Sequence, residues 1–412
     1  MRVRSITQAL ILSATAAAAV YWGSTSATAQ NGTFHDNRQP EQRTIGLPGE
    51  GPAPVVPILT IREAPRQATL HLNGVRNEYE AETVWRPICG SDLRHFDLAD
   101  LTASVAGHMA ALRDPSRGTV VNQTRGVAGG MDIVFNLSLP PAAALPAFAA
   151  AEAYLENIFN ADPITVSINV SFQALGPGVL GSTASSYVVA PYETVRNALQ
   201  ANMDFDDVIQ SFLPAGTTVP VRYNGNRNTV TNENRCFVTL ANFNAVVGVM
   251  AGVAANMTFS TNFAFDFDPA DGTVGQSFQD VIIHEVGHSL GFTSGVGSRF
   301  RDINLMDLYR FAGPDGANNY NPDDANQFQT TPRLADSNVP NDGHNSDIIS
   351  AEFRMSDGNP YQTSHFREQS NPNIGLMDPA LAPGESHFAN FFSLADLTMF
   401  DALGYHLTTA AP

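Results

Sequence analysis

Apolar and polar residues follow regular periods in several stretches of the chain. Over residues 142–159, apolar side chains recur at spacings of three and four, which predicts an amphipathic helix. Over residues 164–172 apolar and polar residues alternate, which predicts a strand, and a Gly-Pro-Gly turn at residues 176–178 leads into a second predicted strand over residues 179–190. We therefore expect a helix packed against a sheet in this part of the chain.

The patterns continue toward the C-terminus and then weaken. Residues 192–203 are typical of a short helix, and residues 236–249 and 256–267 are rich in Val, Phe and Thr, which predicts strands. Residues 312–345 have little periodicity and many Gly, Asn, Asp and Pro residues, which indicates a long loop or insertion. Ser393 is placed to cap a final helix. Together these elements predict the α+β class.

The first 29 residues have the layout of a secretory signal peptide. Two arginines precede an apolar run over residues 9–22, and the small residues Ala27-Thr28-Ala29 follow it. The run is shorter than the roughly 20 residues that a membrane-spanning helix needs. We therefore expect a secreted protein, extracellular or periplasmic. Residues 30–67 are rich in Pro, Gly, Asn and Gln, which indicates a flexible leader or pro-segment.

Composition and charge narrow the class of protein and of partner. The 412 residues include 22 basic and 40 acidic side chains, a formal net charge of −18, and 43% of the residues are hydrophobic. Such a chain can bury a sizeable core, and its acidic excess repels nucleic acid and anionic lipid surfaces. We expect a protein or peptide substrate, no nucleic-acid partner, no stable membrane insertion and a monomeric state.

The chain has two cysteines, Cys89 and Cys236. In an oxidising compartment, a disulfide between them is the default expectation. The alternative is that Cys89, which follows Arg86-Pro87-Ile88, supplies a thiolate that binds a metal ion and holds an enzyme latent. The sequence leaves both alternatives open, together with a third in which the thiols are unpaired and inert.

One stretch of the chain carries an explicit metal-binding pattern. The motif His284-Glu285-Val-Gly-His288 follows Ser277 and Asp280, which form a capping-box-like start to an apolar helix. Residues four apart lie on the same helical face, so both imidazoles can bind one zinc ion while Glu285 reaches a water molecule on it. A catalytic zinc normally has a third protein ligand, which must come from elsewhere in the chain.

The residues after the motif carry a family resemblance. Gly291 follows His288 by three residues, at a position where a positive φ can end the helix and turn the chain. With Gly291 included, the pattern H-E-x-x-H-x-x-G resembles the active-site helix of the metzincin zinc proteases. Most metzincins carry their third histidine at the position where this chain has Ser294.

A later segment supplies a candidate for the third ligand. Ser-His365-Phe is followed by Gly-Leu-Met377-Asp-Pro, and this combination resembles the leishmanolysin-like branch of the metzincins, in which a long insertion precedes the third histidine. It is also similar to bacterial secreted HExxH metalloproteases. The resemblance implies that His284, His288 and His365 bind one catalytic zinc ion. It also implies that Met377 forms an apolar floor beneath the imidazoles without binding the metal.

Other residues compete for the third position on chemical grounds. His344 lies between the helix and His365 in the sequence, and Asp302 lies within one loop of the helix. Carboxylates bind zinc well, so Asp302 is a valid alternative. His387, beyond the methionine turn, is a weaker rival. The residue types alone leave these alternatives open.

The resemblance also implies a fold and an activity. The fold would be metzincin-like, with a twisted mixed sheet, a backing helix and the active-site helix over residues 68–292, and an irregular C-terminal subdomain over residues 293–412. The activity would be that of a secreted zinc-dependent endopeptidase with Glu285 as the general base. We expect an extended substrate to pair with an edge strand within residues 256–265.

Other functions fit part of the same evidence. A non-enzymatic secreted binding protein would use a structural zinc to cross-link the insertion to the helix, but such a site needs no carboxylate beside its ligands. A zinc hydrolase of non-peptide amides or esters is a further alternative. Asp266, Asp268 and Asp271 beside Gly272 form an oxygen-rich turn of the kind that binds calcium, although a turn with solvated acids is the simpler expectation.

Overall fold

The computed structural model describes residues 61–62, 66–72, 75–87 and 130–407, with gaps at 205–206, 224–228, 297–302, 313–321, 323, 337–343, 348–351, 359–360, 369–373 and 389. For residues 61–87 and 344–347, and for Glu352, only the backbone is described. The predicted signal peptide, most of the predicted leader, Cys89 and Asp302 lie outside the described residues.

The described residues contain helices distributed along the chain between long stretches of sheet. These helices are α1 (Leu145–Ile158), α2 (Tyr192–Asn202), α3 (Leu240–Val246), α4 (Phe278–Ser289), α5 (Ala325–Thr330) and α6 (Leu394–Ala402). None of them is both long enough and apolar enough to cross a membrane.

The strands of the described part fall into a long N-terminal set and a set of short later ones. The first set is β1 (Ile61–Arg62), β2 (Arg66–Leu72), β3 (Val75–Pro87), β4 (Asp132–Leu137), β5 (Thr165–Gln173), β6 (Gly181–Pro191), β7 (Val219–Arg222), β8 (Thr231–Glu233), β9 (Arg235–Thr239), β10 (Gly248–Val249) and β11 (Ala255–Ser260). The later strands are β12 (Phe265–Asp266), β13 (Gln276–Ser277), β14 (Arg310–Ala312), β15 (Arg333–Leu334), β16 (His344–Asp347) and β17 (Glu352–Met355).

Most of the first set forms one mixed sheet. Its strand order is β10, β2, β3, β6, β11, β5 and β4, with β1 beside β3 and β9 beside β6. β4, β5 and β11 are parallel to one another, whereas β6 is antiparallel to both of its long neighbours, β11 and β3. Smaller sheets join β12 with β13, β14 with β16 and β17, and β15 with β7 and β8. The mixed sheets and helices confirm the α+β prediction at this coarse level.

The predicted helix over residues 142–159 is confirmed as a 3-10 turn at Ala142–Ala144 followed by α1. Its apolar face is buried, with Ala151 and Leu155 fully inaccessible to solvent. Phe148 on this face meets Phe278, the first residue of α4, with ring centroids 5.5 Å apart. α1 and α4 contact each other, and each also contacts the sheet, α1 at β4 and α4 at β6. The two helices therefore pack side by side against the sheet.

The strand predictions are confirmed by β5 and β6, and α2 confirms the short helix predicted after them. The single strand predicted over residues 236–249 is wrong, because β9 ends at Thr239 and α3 follows. The Thr239 side chain accepts a hydrogen bond from the Asn242 N–H and so caps the helix. The apolar residues after it bury one helical face, and their Val and Phe content had suggested a strand.

The predicted long loop over residues 312–345 contains secondary structure, so this prediction is also wrong in part. α5 and β15 lie within it, and its two ends belong to β14 and β16. These short elements are held by isolated buried side chains. Phe328 is fully buried, and the Arg333 guanidinium donates hydrogen bonds to the carbonyl oxygens of Leu308 and Phe328. Such anchors leave no periodic pattern in the sequence.

The residues Val56–Pro412 form one compact unit, so the boundary predicted near residue 292 falls inside it. The end of the predicted leader, with β1 and the start of β2, already belongs to strands of the mixed sheet. The final helix predicted from Ser393 is confirmed. The Ser393 hydroxyl accepts the Asp396 N–H, and Gly404, with a φ of 89°, follows the end of the helix.

The register of the sheet is incompatible with the predicted disulfide. On β6, Ala184 pairs with Pro87 and Ala190 pairs with Cys236, so the two partners are six strand positions, about 20 Å, apart. The two residues from Pro87 to Cys89 span at most about 7 Å. A disulfide needs Cα atoms within about 7 Å of each other. Cys236 is accordingly a free and buried thiol.

We expect two free thiols per chain. Protein unfolded in guanidinium chloride without reductant should therefore react with two equivalents of iodoacetamide, counted by mass spectrometry. In the native protein Cys236 should not react, because it is fully buried and burial raises the pKa of its thiol above the usual range. An unfolded, unreduced chain with no alkylated cysteine would contradict the register argument.

Candidate metal centre

The first two candidate ligands lie on α4, whose ends form as the sequence predicts. The Ser277 hydroxyl accepts the Asp280 N–H at 3.4 Å and begins the helix. At the other end, Gly291 has a φ of 115°, a conformation that glycine adopts without strain. The helix therefore places His284 and His288 on one face, a single turn apart.

The third imidazole comes from a segment that follows β17. His365 Nε2 lies 3.2 Å from His284 Nε2, and His288 Nε2 lies 3.1 Å from the same atom. The three ligand atoms all lie within 4.8 Å of one another. For comparison, two nitrogens bound to tetrahedral zinc at about 2.05 Å are about 3.3 Å apart. The structure thus confirms that His284, His288 and His365 are close enough to hold a metal ion.

Backbone carbonyl groups determine which nitrogen of each ring faces the centre. A carbonyl oxygen can only accept a hydrogen bond, so each Nδ1 must carry the proton and each Nε2 must present a lone pair. The carbonyl oxygens of Leu376, Phe292 and Gln362 lie 2.7, 2.7 and 3.3 Å from Nδ1 of His284, His288 and His365, respectively. Three Nε2 lone pairs therefore converge, an arrangement that a cation between them stabilises.

The electrostatic environment keeps all three rings neutral near pH 7. Burial lowers the pKa of His284 to about 4. Burial, followed by the neighbouring histidines, lowers the pKa of His288 and His365 well below the ordinary value. Metal binding requires neutral imidazole, so these residues are already in the form that binds a metal ion. The donor set fits a metal ion that prefers nitrogen ligands.

Met377, the residue predicted to form an apolar floor, packs against the helix that carries the first two histidines. Met377 is fully buried, and a Cβ atom on Gly287 would come within 2.5 Å of its sulfur. Gly287 is on the helical turn between the two helix ligands, so Met377 packs directly against that turn. The Asp396 carboxylate holds this segment by accepting the N–H groups of Leu376 at 2.8 Å and Met377 at 3.1 Å.

Glu285 is held from the sheet, by residues that the sequence analysis did not identify. The Thr183 hydroxyl on β6 donates to Glu285 Oε2 at 2.6 Å. The neighbouring Gly181 makes room for the other oxygen, because a Cβ there would lie 2.6 Å from Oε1. Gly181 and Thr183 are two positions apart and therefore lie on the same face of β6, where they position the carboxylate. This spacing can be read from the sequence, but the contact of the two residues with α4 cannot.

A cavity of about 340 Å³ opens beside the histidine cluster. It is lined, among others, by Gly181, His284, Glu285, Tyr361, Asp378 and His387. Substrate-sized groups can therefore reach the space next to the Glu285 carboxylate.

The rival ligands are not part of the cluster as described. Asp302 lies outside the described residues, and His344 is the first residue of β16, where only the backbone is described. His387 is hydrogen-bonded through Nδ1 to Asp280 at 2.9 Å. His387 is not part of the described group of ligand atoms close enough to share an ion, which consists of His284, His288 and His365.

The acidic turn predicted as a second site uses its carboxylates for backbone contacts. Asp266 accepts the N–H groups of Asp268 and Val274, and Asp268 accepts that of Ala270. Within the described part of the chain, the histidine cluster is the one group of three potential ligands close enough to share an ion. Asp266 and Asp268 thus act as caps of this turn.

The predicted substrate edge must also be corrected. β11, which contains the first half of residues 256–265, lies between β6 and β5, and both of its edges are paired. The strand next to α4 that approaches Glu285 is β6 instead. Strand order follows from long-range pairing, so local sequence patterns do not reveal it.

Asp378, which follows Met377, supplies a carboxyl group to the cavity wall. Burial, and after it the charge of Glu368, raises the pKa of Asp378 to about 8. The group is therefore largely protonated at neutral pH. Its Oδ1 atom is buried without a hydrogen-bond partner among the described residues.

No family model, curated protein or solved structure matches this chain.

His365→Ala should remove most of the bound metal. Loss of one of three ligands leaves two imidazoles, which hold zinc far more weakly. We expect metal content, measured by atomic emission after dialysis, to fall from about one ion per chain to below about 0.2. His344→Ala is the matched control and should retain the metal. Full retention by His365→Ala with loss by His344→Ala would assign the third position to His344.

Asp378→Asn should change how stability depends on pH. The unfolded carboxyl loses its proton near pH 3.9, whereas the folded one keeps it to about pH 8, so the free energy of unfolding falls as pH rises through this window. The neutral Asn removes that dependence. We expect metal-free Asp378→Asn to gain on the order of 5 kcal/mol over wild type at pH 8 and little at pH 4. Guanidinium unfolding curves that shift equally at both pH values would contradict this.

Proposed function

We propose that this chain is a secreted zinc-dependent endopeptidase of the metzincin type, similar to the leishmanolysin-like branch. The observation that carries the proposal is the position of the Glu285 carboxylate in the same cavity wall as His284. A structural zinc site needs no carboxylate beside its ligands, whereas hydrolysis needs a base. This favours an enzyme over a binding protein with a structural zinc.

Zinc suits the donor set because three neutral imidazole nitrogens leave a fourth tetrahedral position open. His284, His288 and His365 would hold the ion. When bound, zinc would polarise a substrate carbonyl and make a water molecule more acidic.

Glu285 is the residue that moves protons in this proposal. Its carboxylate accepts a proton from the attacking water and returns it to the nitrogen of the departing amine as the C–N bond breaks. The hydrogen bond from Thr183 fixes Oε2, so the carboxylate keeps one orientation through both transfers. The absence of a Cβ at Gly181 allows this approach.

The substrate is proposed to lie along β6. β3 pairs with β6 only from Ala184 to Val189, and no described strand pairs with Gly181–Thr183 on that side. Leu180 and Gly181 line the cavity next to Glu285. An extended peptide can pair through its main chain with this part of β6 and place one carbonyl group at the metal centre.

Several features support the family assignment beyond the histidines. Gly291 turns the chain after the helix, and Met377 packs beneath the turn that carries the ligands. Secretion is supported by the signal-peptide pattern of residues 1–29. The net charge of −18 supports a protein or peptide substrate over nucleic acid.

The test is a comparison of zinc content and casein cleavage in wild type and Glu285→Gln. The amide keeps the size of the side chain but cannot accept the proton, so we expect unchanged zinc and a loss of cleavage of about 10²- to 10⁴-fold. Glu156→Gln is the control, because Glu156 is a buried glutamate that accepts the Ile133 N–H and is not among the residues that line the cavity. Zinc-loaded wild type that cleaves neither casein nor an unfolded protein would contradict the proposal.

A further inference from the structure

The wall of the metal cavity contains a second polar pair, His387 and Asp280. Asp280 is fully buried on α4, one turn before His284. Its Oδ1 accepts the backbone N–H of His387 at 2.7 Å and lies 2.9 Å from Nδ1 of the same residue. Its Oδ2 accepts the hydroxyl groups of Ser277 and Ser386. The carboxylate thus fixes the His387 ring with its Nδ1 turned toward the helix.

The other ring nitrogen, Nε2, is the group available to a ligand. His387 lines the cavity together with His284 and Glu285, and its side chain is 21% exposed. Among the described residues, Nε2 has no hydrogen-bond partner. Four helical residues rise about 6 Å, so the pair lies next to the histidine cluster and on the same face of α4.

The surroundings favour the protonated ring. Burial alone would lower the pKa of His387, but the hydrogen bond and charge of Asp280, followed by Glu385 and Asp396, raise it above the ordinary value. The opposing neighbour is His284, whose own pKa His387 lowers. The ring can therefore donate from both nitrogens, one to Asp280 and one into the cavity.

We propose that His387 donates a hydrogen bond from Nε2 to the substrate carbonyl oxygen as negative charge develops on it. This inference depends on the proposed peptidase function and assigns the second polar group of its active site. Glu285 serves as the base, and His387 serves as the fixed donor for the oxyanion. Asp280 is the positioning residue, because it acts through the His387 ring.

His406 provides a matched control. It also pairs with a buried aspartate, Asp162, through Nδ1 at 3.2 Å, and its side chain is similarly exposed at 27%. Its Nε2, however, lies 2.8 Å from the carbonyl oxygen of Asn202, and it is not among the residues that line the cavity. Loss of His406 thus removes a comparable structural ion pair without touching the site.

The experiment compares zinc-loaded wild type, His387→Ala, His387→Gln and His406→Ala. For a fluorogenic peptide taken from a casein cleavage site, we expect kcat to fall about 10²-fold in both His387 variants while KM changes less than about threefold. The Gln amide can still donate to Asp280, so this variant keeps the fold. It lacks the second ring N–H group that His387 directs into the cavity. His406→Ala should keep the wild-type kcat.

A second readout does not depend on turnover. Acetohydroxamate, an anionic zinc ligand, should bind the two His387 variants about tenfold more weakly than wild type by calorimetry, with no change in His406→Ala. Wild-type kcat and acetohydroxamate affinity in His387→Gln would overturn the inference. If wild type binds zinc and cleaves no peptide, the proposed function fails. In that case, equal acetohydroxamate affinities would also overturn the His387 assignment, and weaker binding to the His387 variants would support it.

Discussion

The centre depends on three hydrogen bonds from imidazole Nδ1 groups to backbone carbonyl oxygens. They fix the ring orientations of His284, His288 and His365, so that Nε2 atoms only 3.1–3.2 Å apart face one another. Burial prevents protonation from relieving this repulsion, because a charged imidazole would lose its hydration. The folded chain therefore holds an arrangement that a bound cation stabilises.

The same constraint ties the centre to the C-terminal helix. One of the three carbonyl groups belongs to Leu376, whose N–H is held by the buried carboxylate of Asp396 on α6. Gly375 has no room for a side chain, because a Cβ there would collide with the Ser393 hydroxyl and with Asp396. The cap of α6 and the orientation of His284 are thus parts of one packed unit. A change at the cap should reach the metal site through Leu376.

Local patterns predicted what local forces determine. The caps at Ser277 and Ser393, the turn at Gly291 and the helical spacing of the motif follow from hydrogen bonds within a few residues. His365 was found by resemblance and agrees with the structure. The order of strands around β6 could not be found in this way, because it is set by pairing between segments up to about a hundred residues apart in the sequence. The predicted substrate edge and the predicted disulfide were wrong for the same reason, because both depend on which strands pair with one another.

Asp280 shows how a sufficient local explanation can conceal a long-range role. Ser277-x-x-Asp280 fits a capping box, in which the acid would bond back to the start of the helix. In the structure the Ser277 hydroxyl accepts the Asp280 N–H and donates to one carboxylate oxygen of Asp280, while the other oxygen binds the backbone and ring of His387, 107 residues later. A fully buried acid one turn before a metal-binding histidine needs a partner, because burying an unpaired charge is costly. That requirement, and not the cap pattern, accounts for the position of His387 in the cavity wall.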